Sequence, residues 1–276
     1  MAAAELFATL AAVLSLAMTL AWLFVVRGEK SGWVDATWSF MVGLAGIAAA
    51  LVPISGFEGN PQRRLIVAVI AGLWSFRLGL HILIRTRRGG EDPRYANLRQ
   101  EWGDAWKYCL WFFLQIQAAA ALLLSSTVFL AARNPGQGLQ WSDLAGVAVL
   151  FFAVCGEGLA DAELSRFRDD SANKDKVCDI GLWSLSRHPN YFFQWLGWAG
   201  YAVIAIGPAG AWSWGWAALV GPAFMYWLLV HVSGIPPLEA HMKRSRGIAF
   251  AAYARRVNAF WPGLPRTDLP QKERQT

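Results

Sequence analysis

Three runs of polar side chains recur at helical spacing inside otherwise apolar stretches of this 276-residue chain. Arg77, His81, Arg85 and Arg88 make the first. Glu157, Asp161, Ser165 and Arg168 make the second, and Asn190, Gln194, Gly197 and Tyr201 the third. Residues three and four apart share a helix face, so each run is a stripe of groups that can move protons or hold charged and hydroxylated ligands. Ionisable groups in an apolar helix are costly and need a reason. Two reasons compete. Arg77 pairs with Glu157 or Asp161 to hold helices together, or the three stripes line a hydrated pocket. All three converge on the same end of their helices, which favours the pocket.

A second constellation is the segment Cys178-Asp-Ile-Gly-Leu-Trp183-Ser-Leu-Ser-Arg187-His188-Pro189-Asn190-Tyr191. Pro189 suits the first turn of a helix, where its missing N–H costs nothing. The free N–H groups of such a start attract phosphate or carboxylate, and Arg187 adds a charge-assisted fork beside them. A plain helix start with an interfacial Arg and His is the bland alternative. The three cysteines, Cys109, Cys155 and Cys178, show no C-x-x-C or Cys/His spacing, so neither a metal site nor a disulfide framework is expected.

Composition says what must carry these groups. The apolar share is 55%, or roughly 62% on the set that counts Gly instead of Tyr, against about 45–50% in soluble domains. Charged residues are 16%, against about 25%. These values exclude disorder, a collagen-like chain and a nucleic-acid-binding arm, and no nucleic-acid partner is expected. The apolar residues fall in long runs, the mark of membrane spans. Seven are expected: Leu6–Val26, Val34–Ile54, Leu65–Ile84, Tyr108–Ala132, Leu144–Leu164, Tyr191–Ile206 and Ala211–Ser233. The fold class is therefore all-α, a polytopic membrane protein of seven transmembrane helices. A single domain over 1–264, its motif-bearing half at 141–264, is followed by a flexible tail at 265–276. The polar and aromatic stretch Arg244–Pro262 reads as a cap helix.

Basic residues orient the bundle. Of the 25 Lys and Arg, only Arg63, Arg64 and Arg133 fall in the loops after spans two, four and six, and Arg77 lies within a span. The rest crowd the loops after spans one, three and five and the C-terminal tail. The positive-inside rule then puts the N-terminus outside and the C-terminus in the cytoplasm. Trp102, Trp106, Trp111, Trp212, Trp214 and Trp216 sit near span ends, as aromatic belts do. Trp38, Trp74, Trp183, Trp195 and Trp198 lie among the polar stripes, as pocket walls or as core packing.

Gly181-Leu182-Trp183 followed by Ser186-Arg187-His188-Pro189-Asn190-Tyr191 resembles the C-terminal half of the steroid 5α-reductase superfamily, which includes the sterol reductases and a bacterial branch of membrane proteins. Asp35 and Trp38, Trp74-x-x-Arg77-Leu78, Glu91-Asp92-x-Arg94-Tyr95, Glu157, Asp161, Glu239, Tyr253 and Phe260-Trp261-Pro262 extend the likeness to nearly the whole chain. The resemblance implies an NADPH cofactor on the cytoplasmic side and reduction of a carbon–carbon double bond in a steroid-like or other apolar lipid drawn from the bilayer. The setting it implies is a bacterial inner (plasma) membrane. It gives cofactor contacts to Asp161, Arg168 and Asn190, and places Arg85, Arg94 and Tyr95 near the phosphates. Trp183, Arg187, His188, Tyr191 and Gln194 surround the same site, and Glu239 and Tyr253 belong to a cap over the nucleotide.

Two departures matter. Gln194 stands where the family usually has Glu, and an amide still hydrogen-bonds a ribose or carboxamide. The family's substrate-polarising Gln-Glu pair and Tyr have no counterpart that can be placed, which leaves Asp35, Arg77 and His81 as the catalytic candidates and Tyr191 as a further proton donor. Arg187, His188, Pro189, Tyr191 and Glu239 also match membrane methyltransferases that use S-adenosylmethionine. Asn190, the Gly-Leu-Trp run and the seven-span length favour the reductases. A non-enzymatic lipid-binding or transport protein is the third reading, disfavoured by the lack of inverted repeats.

Overall fold

In a computed structural model of the protein, residues 1–89 and 91–266 are described. The chain is helical, with no strand among the described residues. Among the described residues, six helical stretches are long and apolar enough to cross a membrane: Ala3–Val26, Gly32–Leu51, Pro61–Arg88, Arg94–Arg133, Trp141–Asp169 and Ser213–Arg256. The expected sixth span does form a helix, α7 (Pro189–Ile206). At 18 residues it is shorter than each of the six, and it opens with Pro189 and Asn190. Six candidate spans thus stand where seven were expected. Of the expected tail 265–276, residues 267–276 lie outside the described residues.

Within the stretch read as one domain, the chain forms two compact units. One comprises Met1–Phe151 with Gly197–Met225, the other Phe152–Leu196 with Tyr226–Thr276.

The first unit is built on α1 (Ala3–Val26), α2 (Gly32–Leu51), α3 (Pro61–Arg88), the short α4 (Pro93–Trp102) and α5 (Trp106–Arg133). In α1, Leu6, Leu10, Leu14, Met18, Ala21 and Val25 recur at helical spacing and are buried, while Leu16 and Leu20 on the other side are more than half exposed. A soluble helix would not leave such side chains bare; a lipid-facing one does. α2 approaches α3 through small residues. Gly43 lies against Ser75, whose Oγ donates to the Ser39 carbonyl at 2.9 Å, and Gly79 lies against the Phe40 ring. Asn60 starts α3 by accepting from the Gln62 and Arg63 amides at 2.9 and 3.1 Å, with Pro61 at the first helical position. Asp92 starts α4 in the same way, accepting from the Arg94 amide at 2.9 Å.

The three arginines of the sparsely charged loops turn inward. Arg63 is 1% exposed and forks onto Asp143 at 2.7 and 2.8 Å. It also donates to the carbonyls of Asn134, Gly136 and Gly138. Arg64 donates to the carbonyls of Ala50 and Leu51 at the end of α2, and Arg133 to those of Ala49, Val52 and Phe57. Helix ends leave carbonyls without intrahelical partners, and a cation there also meets the negative end of the helix dipole. Asn134 does the same for α7, donating to Ile204 and Ala205.

In the second unit, the C-terminal part of α6 (Trp141–Asp169), the loop 170–188, the start of α7 and, beyond the short α8 (Ser213–Trp216) and α9 (Val220–Trp227) along the chain, α10 (Ile235–Arg256) come together. The expected cap helix begins earlier and ends sooner than Arg244–Pro262. A π turn over Leu228–Val232 and Gly234 precede it, and it breaks at Gly247, whose φ of 43° favours glycine. Phe250, Tyr253 and Val257 bury themselves with Val177, Met242 and Ala254. The stretch after α10 runs back along the motif loop, with Arg187 N donating to Asn258 O and Gly263 N to Leu185 O, both at 2.9 Å.

Candidate functional site

The second unit gathers most of the motif. Gly181, at φ 55°, turns the chain into a short 3₁₀ turn, Gly181–Ser184, and the Leu182 amide donates to Glu163 Oε2 at 2.9 Å. Trp183 is buried and its indole donates to the Ala160 carbonyl at 2.9 Å. The Tyr253 hydroxyl returns from α10 to the Trp183 carbonyl at 2.5 Å. Ser186 Oγ donates to Phe260 O at 3.0 Å and accepts from the His188 amide at 3.1 Å. Tryptophan, serine and tyrosine thus fix the loop from three sides before it enters α7.

Arg187, His188 and Glu239 form one group, His188 buried and the other two partly so. Arg187 Nε and Nη2 reach Glu239 Oε1 at 2.8 and 2.7 Å, and Nη1 donates to Ala254 O and Val257 O at 3.1 and 2.6 Å. His188 Nε2 lies 3.3 Å from the same carboxylate oxygen. The His188 ring stacks on Tyr191, with centroids 5.5 Å apart and planes 9° apart. The anion fork expected of Arg187 is therefore closed internally: its guanidinium clamps the loop to α10 and the segment beyond it. Spacing within the motif gave no sign of this, because the partners lie over fifty residues downstream.

Burial, reinforced by the Arg187 charge, holds His188 below the usual imidazole range against the pull of Glu239. The fold therefore favours neutral His188. A depressed histidine gives stability that is full above the unfolded value of about 6.5 and is lost as pH falls through the folded one. Melting temperature is expected to fall faster below about pH 6.5 in the wild type than in His188→Gln. Parallel slopes in thermal scans from pH 8 to 5 would remove His188 from that role.

In the first turn of α7, Asn190 Nδ2 donates to Asp161 Oδ1 of α6 at 3.2 Å, and Asn190 Oδ1 accepts from the Tyr191 amide at 3.1 Å. Asp161 is 8% exposed. A fixed carboxylate and amide side by side suit ribose hydroxyls or a carboxamide. Arg166, Arg168, Lys174 and Lys176, at the end of α6 and in the turn beyond, are exposed cations of a kind phosphates need. Gln194 follows one turn after Asn190 on α7.

The first unit holds a separate cluster. Asp35 of α2 pairs with Arg94 Nη2 and accepts from the Tyr95 hydroxyl at 2.8 Å. Arg94 also forks onto Asp92 at 2.9 and 3.1 Å, and Arg85 approaches Asp92 at 3.7 Å. Burial would raise the Asp92 carboxyl, yet the bonds and charge of Arg94, with Arg85 adding to them, hold it below its usual range. Gln117 Nε2 lies 3.5 Å from the Tyr95 hydroxyl, and the Trp38 indole donates to the Gln117 carbonyl. Asp35, expected as a proton donor, has both oxygens engaged as acceptors. Arg94 and Tyr95, expected at the phosphates, are instead its partners. Arg77 and His81 share α3 with Arg85 and are also engaged in the fold. Among the described residues, no three His, Cys, Asp or Glu side chains are grouped to hold a metal ion.

These features define an all-helical membrane protein with a buried polar group around a Ser-Arg-His-Pro-Asn-Tyr helix start. Residues 21–257 match the model of a family described as proteins of unknown function, DUF1295, and the chain belongs to that steroid 5α-reductase-like family. It is 26% identical over 238 residues to an uncharacterized protein, C594.04c, of Schizosaccharomyces pombe. That match covers 76% of this chain and 66% of the relative, just under two thirds of its length. No solved structure matches the chain.

Proposed function

We propose that this protein is a membrane-embedded, NADPH-dependent reductase of a carbon–carbon double bond in a steroid-like or other apolar lipid. The hydrogen bond between Asp161 and Asn190 carries the reading. These are two of the side chains that the resemblance gives to the cofactor, they come from different helices, and they stand 3.2 Å apart in the second unit. Asp161 and Asn190 would hold the ribose or carboxamide, and Arg166, Arg168, Lys174 and Lys176 the phosphates. Tyr191 and Gln194 would complete the surround. The Arg187–His188–Glu239 group and Tyr253 act one step back, fixing the loop from which α7 starts. When bound, the nicotinamide supplies hydride; the protein's work is to bind, orient and exclude water. Asp35, Arg77 and His81 remain the candidates at the substrate end. In this reading α7 completes a seven-span bundle in the inner membrane of a bacterium, with the N-terminus outside and the nucleotide taken from the cytoplasm.

The test is a thermal-unfolding titration of the detergent-purified chain with NADPH, NADH and S-adenosylmethionine in parallel. A ligand that binds only the folded state raises the melting temperature by mass action. NADPH is expected to do so, with apparent affinity at least about tenfold weaker in Asp161→Ala and Asn190→Ala, a loss of about 1.4 kcal/mol or more. Unchanged NADPH binding in both variants would refute the site. A shift with S-adenosylmethionine alone would make the protein a methyltransferase.

A further inference from the structure

The loop that enters α7 and the segment after α10 bound a groove that neither the nucleotide residues nor the Arg187 group uses. Leu182, Leu185, Phe192, Phe193, Trp195 and Trp261 line it, and its volume is about 380 Å³. That lies within the range of ligand pockets, about 300–1,000 Å³. All of these residues belong to the second unit. Among the described residues, no side chain of the lining carries a charge or an oxygen. The lining therefore offers nothing to hold a sugar or to orient a reacting carbon. What fits is a hydrocarbon chain. The walls are fixed in advance, which lowers the cost of binding. Ser186 Oγ donates to Phe260 O at 3.0 Å, Gly263 N donates to Leu185 O at 2.9 Å, and Trp261 meets Trp195 edge-on with centroids 5.0 Å apart.

The rim is charged and bare. Past the groove the chain reads Trp261-Pro-Gly-Leu264-Pro-Arg266, with Trp261 49% and Leu264 88% exposed. An uncovered tryptophan and leucine beside a cation are the pattern of a segment lying in the headgroup boundary of a membrane. Arg266 N donates to Arg256 O at 2.9 Å, which brings Arg266 back to the end of α10, where Arg255 is exposed as well. Asp179 engages Arg256 at 3.2 Å and leaves Arg255 and Arg266 to other anions. Arg266 follows Pro262 of the groove wall by four residues, at most about 14 Å of chain. An apolar groove with two exposed guanidinium groups at its rim complements a molecule that has a hydrocarbon chain and a phosphate head.

We propose that this groove holds an acyl chain of an anionic phospholipid from the adjoining leaflet, with the lipid phosphate on Arg255 and Arg266. The lipid is a bound component of the protein, and no bond in it forms or breaks. Leu185 and Phe192 bracket the Ser-Arg-His-Pro-Asn-Tyr run, so the lipid braces the loop from which α7 starts. The inference is independent of the reductase reading.

The experiment titrates the detergent-purified, delipidated full chain with dioleoylphosphatidylglycerol and with dioleoylphosphatidylcholine and follows thermal unfolding. Phosphatidylglycerol is expected to bind at least about tenfold more tightly. Dioleoylglycerol, which lacks the phosphate, and glycerol phosphate, which lacks the chains, are each expected to fall short of it by as much. Arg255→Gln/Arg266→Gln is expected to lose the preference and keep phosphatidylcholine binding. Lys243→Gln/Arg244→Gln, which removes two exposed cations before the break at Gly247, is expected to retain it. Trp261→Ala is expected to weaken both phospholipids. Native mass spectrometry of the wild type from an equimolar mixture of the two lipids needs no variant, and is expected to show phosphatidylglycerol retained over phosphatidylcholine. Equal binding of the two lipids in either measurement overturns the inference. So does a preference that survives in Arg255→Gln/Arg266→Gln, or one lost to the same degree in Lys243→Gln/Arg244→Gln, which would make it a general charge effect. Binding of glycerol phosphate as tight as that of the lipid would make the site a free-anion site and overturns it too.

Discussion

Replacing Arg63 by alanine is expected to destabilise the protein by about 3–5 kcal/mol, the range for removing one partner of a buried ion pair. The guanidinium is 1% exposed and is the hub of the loop between α5 and α6. It holds Asp143 with two bonds and the Asn134, Gly136 and Gly138 carbonyls with three more. Asp143 Oδ2 in turn accepts from the Gln140 amide at 2.7 Å. Alanine would strand a buried carboxylate and three carbonyls at once. Lysine should rescue little, since one ammonium cannot reproduce a planar fork that serves five acceptor contacts. The double substitution Arg63→Met/Asp143→Leu should recover much of the loss, because an apolar pair of similar bulk leaves no stranded charge. Thermal unfolding in detergent measures all four proteins. A wild-type melting temperature in Arg63→Ala would show that the pair contributes nothing.

Glu239→Ala should have a comparable effect on the second unit. Arg187 and Glu239 are 12% and 13% exposed at their side chains, and the carboxylate also meets His188. Without Glu239, Arg187 keeps only its two carbonyl contacts, and a charged guanidinium sits near a histidine that the fold holds neutral. The start of α7 and the segment from Ala254 to Gly263 should loosen together. The expected readout is faster proteolysis after Arg255 or Arg256 under native conditions, together with a lowered melting temperature. Glu239→Gln, which keeps one acceptor and the shape, should fall between the two. Native-like protease resistance in Glu239→Ala would mean that the loop is held by Tyr253 and Ser186 alone.

What the sequence made legible was everything set by neighbours along the chain. Apolar runs became helices, and Pro189 opened α7 as its position suggested. Pairings set by distant residues stayed hidden. Asp35 looked like an isolated buried carboxyl because Arg94 and Tyr95 stand some sixty positions away, across a helix boundary. Arg187 looked open to anions because Glu239 and the carbonyls of Ala254 and Val257 come back from the far end of α10. The shortness of α7 was legible in the sequence, yet its apolar run was counted as a seventh span. Asp161 and Asn190 were named as one site from separate stripes, and the structure joins them. Glycine conformation explains the remaining miss: the cap helix was read as unbroken, but Gly247 breaks it.

The interleaving of the two units has a consequence for genetic dissection. Each unit is assembled from two separate stretches of chain, and the changes of membership after Phe151, Leu196 and Met225 all fall inside helices. No contiguous fragment consists of one unit alone, and a cut at any of these points exposes a broken helix. Truncation series and split-gene complementation would therefore report lost folding whichever activity was under test.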